Sequence, residues 1–409
     1  MWIRKYIEIN DLDIVWGLLH CCLPGDRELI VRRIQQCWRT DDLLACLSVR
    51  SGLDLLLHSS GWPSGSEVIM SGLTIPDMPR IVEKHKMIPI GVDLDPQTLT
   101  PHPNDIEALI TPRTRAIMIA HLFGGWCDLD AIAEIARRHQ LMLIEDCAQA
   151  YAGNHQTGDP RAAVSMFSFG PIKTNTALAG AVLCVRDAQL LNRLNANHAL
   201  WARQTRWTFA RRLLKYWWIH KLSSRLGMSG IRAVLRWTGK DHDQFVAHAA
   251  RGFAGGDFFT RIRRRPPAPL LKTMLRKFQD FELSLVADRQ RRALGFLTRL
   301  GPTAAVPGRQ LNRHTYWVLP ILVEQPAPLV ELLWKHGFDA THRCSLQVVG
   351  ARSLPQCQRI LDHIVYLPFD ARIPDRELER MADLIIQSGA QPPAWWQAYR
   401  AEAKLAPKV

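Results

Sequence analysis

Short continuous apolar runs alternate with amphipathic stretches in the first half of the chain. Residues 141–144 form a continuous apolar run, and it follows a helical pattern at 129–139. Such a run is typical of a strand that is buried on both faces of a parallel sheet. Residues 164–169 and 178–185 give two more runs, and Gly180 interrupts the second. The pattern predicts an α/β fold with a mostly parallel sheet.

Two groups that suit a single cofactor follow these strands. Asp146 stands at the carboxyl end of the strand at 141–144, where open α/β sheets form their ligand crevice. Lys173 comes 27 residues later in the run FSFGPIK, and Ser168 precedes it by five residues. Pyridoxal 5'-phosphate (PLP) requires an amine that forms a Schiff base and an acid that stays ionised beside the ring nitrogen. Asp146 and Lys173 together therefore predict a PLP site.

A loop that enters a helix offers a place for a phosphate group. Ser51 and Gly52 follow the apolar run CLSV and precede the helix-like LDLLLH. Free backbone N–H groups and the helix dipole favour an anion at such a point. Many helices begin with Ser or Gly for capping alone, so this pair by itself is weak evidence for a phosphate site. It supports one because of its place in the chain before Asp146 and Lys173.

The chain resembles the DegT/DnrJ/EryC1/StrS family of sugar aminotransferases, which are PLP enzymes of fold type I. The resemblance rests on VRSGLDLLL, GSEVIMSG, ITPRTRAIMIAHLFGGWCDLDAIAEIARRH, LIEDCAQAYAG and MFSFGPIKTNTALAGAVLCV, and later on HTYWVLPILVE and VYLPFDARIPDRELERM. These segments lie within residues 45–195 and 270–390. The resemblance implies a large domain with a mostly parallel sheet, a smaller C-terminal α/β domain, and a homodimer with residues of both subunits at each cofactor.

The resemblance also implies roles around the cofactor. Lys173 would form the Schiff base, Asp146 would pair with the pyridinium nitrogen, and Gln149 would lie near the 3-oxygen. The phosphate would be held by Ser51, Gly52 and Ser168.

Two parts of the family pattern are changed in this chain. The P-S-x-T-[FWY] segment, whose aromatic residue covers the cofactor ring, reads MSGLTIPD here, so Ile75 would supply an apolar face instead. The segment after Lys173, where the family carries a partner-subunit asparagine for the phosphate, is rewritten, and no residue can be assigned to that role. Relatives that became dehydratases have His at the lysine position. The retained Lys173 therefore favours transamination.

Three further residues are candidates for contact with the substrate. His121, in IAHLFGG, ends a predicted strand near Asp146, although a histidine there is as often a structural group. His342 and Arg343, in ATHRCSLQ, occupy a place where relatives contact the substrate from the small domain. The arginine run at 261–265 could bind a substrate phosphate through its guanidinium groups, or it could be a solvated linker.

Positive charge is concentrated in one segment of the chain. The formal net charge is +14, and residues 201–265 hold 15 Arg or Lys against three Asp, which leaves +12 there. The same segment contains Trp201, Trp207, Trp217, Trp218 and Trp237.

Part of this segment has a helical apolar face. That face holds Ala210, Leu213, Leu214, Trp217 and Trp218, and the other side holds Arg211, Arg212 and Lys215; a second short pattern lies at 231–236. A basic helix rich in tryptophan is typical of binding to an anionic membrane surface. An inserted helical lobe packed on the enzyme explains the pattern equally well. Nucleic acid is disfavoured as a partner, because no recognition-helix or RNA-binding signature accompanies the charge.

The predicted organisation has five parts. An N-terminal arm and helices occupy residues 1–50, and the PLP-binding large domain occupies 51–200. A basic, Trp-rich helical insertion at 201–265 and a connecting helix at 266–300 lead to a C-terminal small domain at 301–409.

Composition favours a reducing compartment. The nine cysteines are scattered without metal-ligand spacing, so neither a disulfide framework nor a metal site is expected. The N-terminal sequence lacks the apolar core of a signal peptide, and no stretch approaches roughly 18 uninterrupted apolar residues. We expect a cytoplasmic protein, peripheral at the inner membrane surface if the insertion binds lipid.

Together these features predict a PLP-dependent aminotransferase. The resemblance implies glutamate as the amino donor and a nucleotide-linked keto-sugar as the acceptor, while the basic insertion leaves a ketone presented at a membrane as a second acceptor. Lys173 would also transfer the proton. One alternative is a PLP enzyme of another reaction type, elimination or carbon–carbon bond chemistry. The other is a non-catalytic regulatory or scaffold member of the family. Retention of Asp146, Gln149 and Ser168 together with Lys173 favours an enzyme.

Overall fold

The computed structural model describes residues 1–4, 6–222, 257–342 and 345–405. A seven-stranded sheet lies at the centre of the described chain. Its strands are β1 (Leu43–Cys46), β2 (Glu67–Ser71), β4 (Ile88–Val92), β5 (Thr114–Ala120), β6 (Met142–Asp146), β7 (Val164–Ser168) and β8 (Ala181–Val185). Two small sheets pair β3 (Leu73–Thr74) with β10 (Gln347–Val348), and β9 (Leu319–Leu322) with β11 (Ile364–Leu367).

Helices pack around these sheets. In chain order they are α1 (Asp11–Cys22), α2 (Arg27–Trp38), α3 (Val49–Ser60), α4 (Asp77–Lys84), α5 (Pro103–Ala108), α6 (Asp130–Arg138), α7 (Ala188–Leu200), α8 (Arg206–Leu222), α9 (Phe258–Ile262), α10 (Ala268–Gln279), α11 (Leu283–Leu300), α12 (Pro326–Lys335), α13 (Pro355–His363), α14 (Asp375–Gln387) and α15 (Ala394–Leu405). A short 3-10 helix, Gly301–Thr303, follows α11.

The order of strands across the large sheet is β1-β8-β7-β6-β5-β2-β4. Strand β8 runs antiparallel to both of its neighbours, and the remaining pairs are parallel. The carboxyl ends of β1, β2, β5, β6 and β7 therefore meet at one edge of the sheet, where such folds bind ligands. The α/β fold with a mostly parallel sheet is confirmed.

The large sheet begins earlier than the domain prediction placed it. Residues 43–46 fell within the predicted arm and helices at 1–50, yet they form the edge strand β1 and pair with β8. All four side chains are buried, because successive residues face apolar cores on opposite sides of the sheet.

The single connecting helix predicted for 266–300 is wrong, since α10 and α11 are separate helices. The chain leaves the helical path after Gln279. In the break, the ring of Phe281 packs against the buried ring of Tyr151, with 5.1 Å between the centroids. An aromatic contact thus holds the chain at the point where the helix is interrupted.

The described ends of the segment 201–265 lie together. The N–H of Arg265 donates to the carbonyl of Ala202 (3.0 Å), and the N–H of Gln204 donates to the carbonyl of Arg265 (2.9 Å). The segment thus leaves and re-enters the fold at one place. The predicted pattern at 231–236 and Trp237 lie outside the described residues.

The buried face of α8 differs from the prediction. Its buried side chains are Phe209, Ala210, Leu213 and Tyr216. Leu214 and Trp218, assigned to that face, are 45% and 58% exposed. Arg212, assigned to the polar face, lies inward and donates to the carbonyl of Leu178 (3.2 Å). The reason is that α8 packs against both α1 and α10, so two partners define its buried side.

The C-terminal part has an apolar core of its own. Side chains of α11, α14, β9 and β11 form it, and the N-terminal arm reaches it. Trp2 bridges to Phe338, and Arg4 Nη1 donates to Asp339 Oδ1 at 2.6 Å. The first residues of the chain are thus tied to its last third.

Candidate active site

Asp146 ends strand β6 at the carboxyl edge of the sheet. Its Oδ1 accepts the N–H of Ala148 at 3.0 Å. Burial raises the pKa of this carboxyl group, while that N–H and the positive charges of Lys173 and Arg50 act in the opposite direction. Lys173 is thus near enough for its charge to act on Asp146.

Lys173 lies in the turn that follows β7, where its N–H donates to the carbonyl of Gly170 at 3.0 Å. A Cβ atom on Gly170 would lie 3.7 Å from Ser168 Oγ and 3.9 Å from Lys173 Cγ, so both side chains border the same small space. The Lys173 ammonium lies 4.0 Å from the ring centroid of Trp317. Trp317 in turn donates its Nε1–H to the carbonyl of Ile172 at 2.8 Å. The turn and the indole together set the direction of the lysine.

The first turn of α3 lies at the same edge of the sheet. Ser48 is the N-cap, and its Oγ accepts the N–H of Ser51 at 3.1 Å and contacts the Ser51 hydroxyl at 2.8 Å. The N–H of Gly52 donates to the carbonyl of Ser48 at 2.9 Å. The backbone N–H groups of Ser51 and Gly52, which were predicted to bind a phosphate, are therefore already hydrogen-bonded to Ser48. The first-turn N–H groups of Val49 and Arg50 are the donors that helix geometry leaves for an anion.

Arg50 connects α3 to α4 beside this turn. Its Nε–H donates to Asp77 Oδ2 at 2.5 Å. Ile75 follows β3 and precedes Asp77 by two residues, and it is half-buried. Ile75 therefore lies close in the chain to the pair of Arg50 and Asp77. Its contact with a cofactor ring stays a prediction.

Gln149 reaches the loop that follows β5. Its Oε1 accepts the N–H of Phe123 at 2.9 Å. Phe123 has a φ of 59°, so this bond supports a left-handed turn. The NH2 group of Gln149 can donate a hydrogen bond to a ligand oxygen.

His121 is buried beneath this edge, with 1% of the residue exposed. The N–H of Cys127 donates to Nδ1 at 3.0 Å, which leaves Nε2–H to donate to Glu145 Oε1 at 3.0 Å. Glu145 also accepts the hydroxyl of Ser165. A ring held at both nitrogens is not placed to contact a substrate, so the predicted contact does not fit. His121 instead positions Glu145, the neighbour of Asp146.

The remaining candidates are not shown to contact this site. His342 is exposed, and Arg343 lies outside the described residues, so their contact with substrate stays a prediction. In the arginine run, Arg263 donates two hydrogen bonds to Asp54, at 2.8 and 2.9 Å. Arg265 donates to the carbonyl of Trp201 at 2.8 Å. These two arginines hold the base of the segment rather than a ligand.

A cavity opens beside Lys173, and the N-terminal arm forms part of its wall. Its lining comprises Arg4, Tyr6, Glu8, Ile172, Thr174, Trp317, Val318, Phe369 and Asp370. Arg289 joins two sides of this wall, since it donates to Glu8 Oε1 at 2.8 Å and to Thr174 Oγ1 at 3.2 Å. The cavity therefore brings together the arm, the lysine turn and the C-terminal part.

Residues 31–227 match the model of the DegT/DnrJ/EryC1/StrS aminotransferase family. The chain is therefore similar to this family over slightly less than half of its length. The matched residues include Asp146, Lys173 and the start of α3, so the similarity and the crevice concern the same part of the molecule.

Curated relatives are similar to the chain over part of its length. The L-glutamine:2-deoxy-scyllo-inosose aminotransferase of Micromonospora echinospora is 39% identical over 155 residues, which are 36% of this chain and 36% of the relative. The GDP-perosamine synthase of Caulobacter vibrioides is 38% identical over 153 residues, which are 36% of this chain and 40% of the relative. The chain thus matches little more than a third of the length of these relatives.

Solved structures share the fold over nearly the whole chain. An aminotransferase from Streptoalloteichus hindustanus superimposes with a TM-score of 0.70 at 18% identity and covers 95% of this chain and 98% of its own. A sugar aminotransferase from Micromonospora echinospora gives a TM-score of 0.70 at 17% identity, over 95% of this chain and 100% of its own. A Streptococcus pneumoniae protein solved in its PMP form gives 0.68 at 15% identity, over 94% of this chain and 98% of its own.

The described residues fit the PLP cofactor of the DegT/DnrJ/EryC1/StrS family. A half-buried acid at the end of β6, an amine in the turn after β7 and a helix N terminus stand at one edge of the sheet. Gly170 has no side chain, which leaves room between Ser168 and Lys173. Each kind of group that the cofactor needs is therefore present.

Sequence reasoning missed three residues of this site. Trp317 lies within the quoted segment HTYWVLPILVE, yet only tertiary structure brings its indole onto Lys173. Arg289 lies on α11 and has no local pattern that marks it. Arg50 did have a signal, because it directly precedes the Ser51-Gly52 pair and is a cation at a predicted anion site.

Proposed function

We propose that this chain is a PLP-dependent aminotransferase that acts on a keto-sugar. The observation that supports this most is the placement of Asp146 at the carboxyl end of β6 and of Lys173 in the turn that follows the neighbouring strand β7, at one edge of a mostly parallel sheet. A binding-only protein has no chemical need for an amine beside an acid at that place. The match of residues 31–227 to the model of this aminotransferase family supports the same activity.

The chain's own groups divide the work as follows. When bound, PLP supplies an electron sink that makes the α-hydrogen of an amino substrate acidic. Asp146 holds the proton of the ring nitrogen through its negative charge. Lys173 Nζ takes the proton from the α-carbon of the amino donor, and in the reverse half-reaction it returns a proton to the carbon that becomes the amine carbon of the product. Ser168, the Ser51 hydroxyl and the start of α3 hold the phosphate, and Trp317 keeps water from one side of Nζ.

The substrates follow from the names of the relatives only as proposals. The acceptor is a keto-sugar or a related cyclic ketone, nucleotide-linked or free, and the second candidate is a ketone presented at a membrane. We propose glutamate or L-glutamine as the donor, since the named inosose aminotransferase uses L-glutamine.

The proposal also covers the oligomeric state and the cellular location of the protein. We propose a homodimer whose subunits complete each other's cofactor site, in polysaccharide or aminosugar biosynthesis. The described residues contain no helix that is both long and apolar enough to cross a membrane. We propose a cytoplasmic protein that associates peripherally with the inner membrane surface through residues 201–265.

Absorbance and trapping of the purified protein test the activity. We expect a yellow protein whose colour is bleached by borohydride, with PLP fixed to Lys173 in a tryptic peptide. Lys173→Ala should be colourless, whereas the control Lys335→Ala, at an exposed lysine paired with Glu331, should behave as wild type. Isotopically labelled glutamate and L-glutamine with a panel of nucleotide keto-sugars and inososes then test transfer.

The outcomes separate the alternatives. A yellow protein that transfers no amino group to any ketone would favour another PLP reaction. A wild-type protein that stays colourless with excess PLP would contradict the enzyme proposal and favour a regulatory role.

A further inference from the structure

The outward face of α1 is apolar along its whole length. Leu12, Val15, Trp16 and Leu19 are 37% to 69% exposed and recur at helical spacing, and Leu23 continues the stripe at 43%. The opposite face, with Ile14, Gly17 and Cys21, is buried in the core. A helix that is apolar on both faces is expected to be covered on both. The outward face of α1 is therefore a candidate for contact with something outside the described chain.

Helix α8 presents a second stripe of the same kind. Trp207, Leu214 and Trp218 are 66%, 45% and 58% exposed and follow one another at spacings of seven and four residues. Eight of the fifteen exposed large apolar side chains of the described chain belong to α1, its capping Leu23 and α8. Such concentration in two neighbouring helices is unlike the scattered apolar side chains of an ordinary surface.

The two helices lie side by side in opposite directions. Arg206, at the start of α8, donates to the carbonyl of Leu23 at the end of α1 (3.1 Å), and Trp217 donates to Asp11 at its beginning (3.1 Å). Between these points, a Cβ atom on Gly17 would lie 2.9 Å from a methyl group of Leu213. Gly17 has no side chain and therefore lets Leu213 of α8 approach α1 closely. We call the exposed apolar stripes of these two adjacent helices, taken together, the α1–α8 face.

Charge decides what can cover this face. Arg206, Arg211, Lys215 and Lys221 of α8 are exposed along it, and the nearby carboxylate of Asp11 is already paired with Lys221 at 2.6 Å. A second copy of the chain would bring these like charges together, whereas an anionic bilayer would attract them. Indole rings beside cations are also the composition that settles at lipid headgroups.

We propose that the α1–α8 face is a docking surface for anionic lipid bilayers. This rests on the peripheral association included in the proposed function and deepens it, because α1 supplies residues that lie far outside 201–265. The apolar stripes enter the boundary between headgroups and acyl chains, and the cations of α8 meet the lipid phosphates. Both helices act together, since α8 supplies the cations and α1 adds four exposed apolar side chains to the three of α8.

Vesicle sedimentation with the full chain tests the proposal. We expect the wild-type protein to pellet with phosphatidylcholine vesicles that contain phosphatidylglycerol, more weakly without it, and more weakly as salt rises. Leu12→Gln/Leu19→Gln in α1 and Trp207→Gln/Trp218→Gln in α8 should each reduce the bound fraction by at least about tenfold. The charge variant Arg211→Gln/Lys215→Gln should lose the preference for the anionic lipid.

A matched control substitutes exposed leucines elsewhere. Leu285 and Leu294 of α11 are 52% and 48% exposed, and Leu285→Gln/Leu294→Gln should pellet as wild type. No pelleting of the wild type, or equal pelleting of the control and both face variants, would overturn the proposal. So would a lipid-free change from dimer to monomer in the face variants by analytical ultracentrifugation, because a second copy would then be the occupant. PLP absorbance of each variant reports the cofactor site separately.

Discussion

At the scale of single residues, the acid beside the amine carries most of the chemistry. Asp146 is half-buried, and this burial raises the pKa of its carboxyl group, so its charge depends on the cations around it. A cofactor with a protonated ring nitrogen adds another positive group and stabilises the anion. An amide at this position would accept a hydrogen bond but carry no charge.

Asp146→Asn should therefore keep the fold and lose the reaction. We expect the catalytic rate constant to fall by about 10²–10³-fold or more, the range found when one preorganised electrostatic group is removed. The protein should still be trapped by borohydride through Lys173, and its thermal unfolding should change little. A rate within a few-fold of wild type would contradict the role given to Asp146.

Trp317 allows a second test beside the reacting amine. Its ring lies 4.0 Å from Lys173 Nζ, so Trp317→Ala removes both a cation–π contact and a barrier to water. We expect kcat/KM to fall about 5–30-fold, equivalent to 1–2 kcal/mol. Trp317→Phe keeps an aromatic face and should recover part of the loss, which a purely structural role for the Nε1–H bond to Ile172 would not give.

The site residues also show what a sequence can predict. Lys173 and Asp146 were predictable because each stands beside a buried strand in a local pattern that the chemistry demands. Trp317 was not, because 144 residues separate it from Lys173 and only folding joins them. His121 was read toward the substrate because its local pattern says nothing of Glu145 and Cys127, which hold both ring nitrogens.

At the scale of elements, an ion pair fixes the helix that begins at the proposed phosphate site. Asp54, on α3, is 1% exposed and accepts hydrogen bonds from Arg263 and from His85. Burial alone would raise the pKa of Asp54, but these two partners lower it below its usual range. Arg263 stands at the end of the segment 201–265, so the pair anchors that segment to α3.

The depressed pKa of Asp54 predicts how stability depends on pH. A carboxyl group with a lowered folded-state pKa stabilises the protein above its unfolded pKa of about 3.9, and that stabilisation is lost as the pH falls through the folded value. The melting temperature of Asp54→Asn should therefore change less than that of wild type as the pH falls below about 5. Parallel curves for the two proteins would contradict the argument.

Substitution of Arg263 should destabilise the folded protein at neutral pH. Arg263→Met leaves the buried carboxylate with His85 alone, and we expect a loss of about 1–3 kcal/mol in the free energy of unfolding. Urea unfolding measures it. Arg264→Met is the matched control, because Arg264 is a neighbouring residue whose Nε–H donates only a long bond, 3.4 Å, to the carbonyl of Thr260 in the same segment.

Elements were predictable where they are buried on all sides and not where separate partners bury only part of their surface. The strands near 141–144 and 164–169 follow directly from continuous apolar runs, because both faces meet a core. Helix α8 does not, because α1 and α10 bury different sides of it and leave Trp207 and Trp218 outward. A single apolar stripe in the sequence cannot encode two separate partners.

At the scale of the whole molecule, the N-terminal arm joins the C-terminal part to the cavity. Arg4 pairs with Asp339, and both side chains are almost fully buried, at 7% and 2% exposure. Beyond this anchor, Tyr6 and Glu8 line the cavity beside Lys173. The sequence predicted an arm at 1–50 but gave no sign of this contact, because its partner is more than 300 residues away.

Breaking the anchor should therefore affect stability and the site together. Arg4→Met leaves Asp339 buried without this cation, and we expect a loss of about 3–5 kcal/mol in the free energy of unfolding. Because the detached arm no longer closes the cavity, borohydride should reach the PLP-bound lysine faster and KM for the amino donor should rise. Arg299→Met breaks an exposed pair with Asp383 in the same part of the chain and should leave all three quantities unchanged. If Arg4→Met lowered stability while borohydride access and KM stayed at wild-type values, the arm would be a structural strap only and not part of the substrate site.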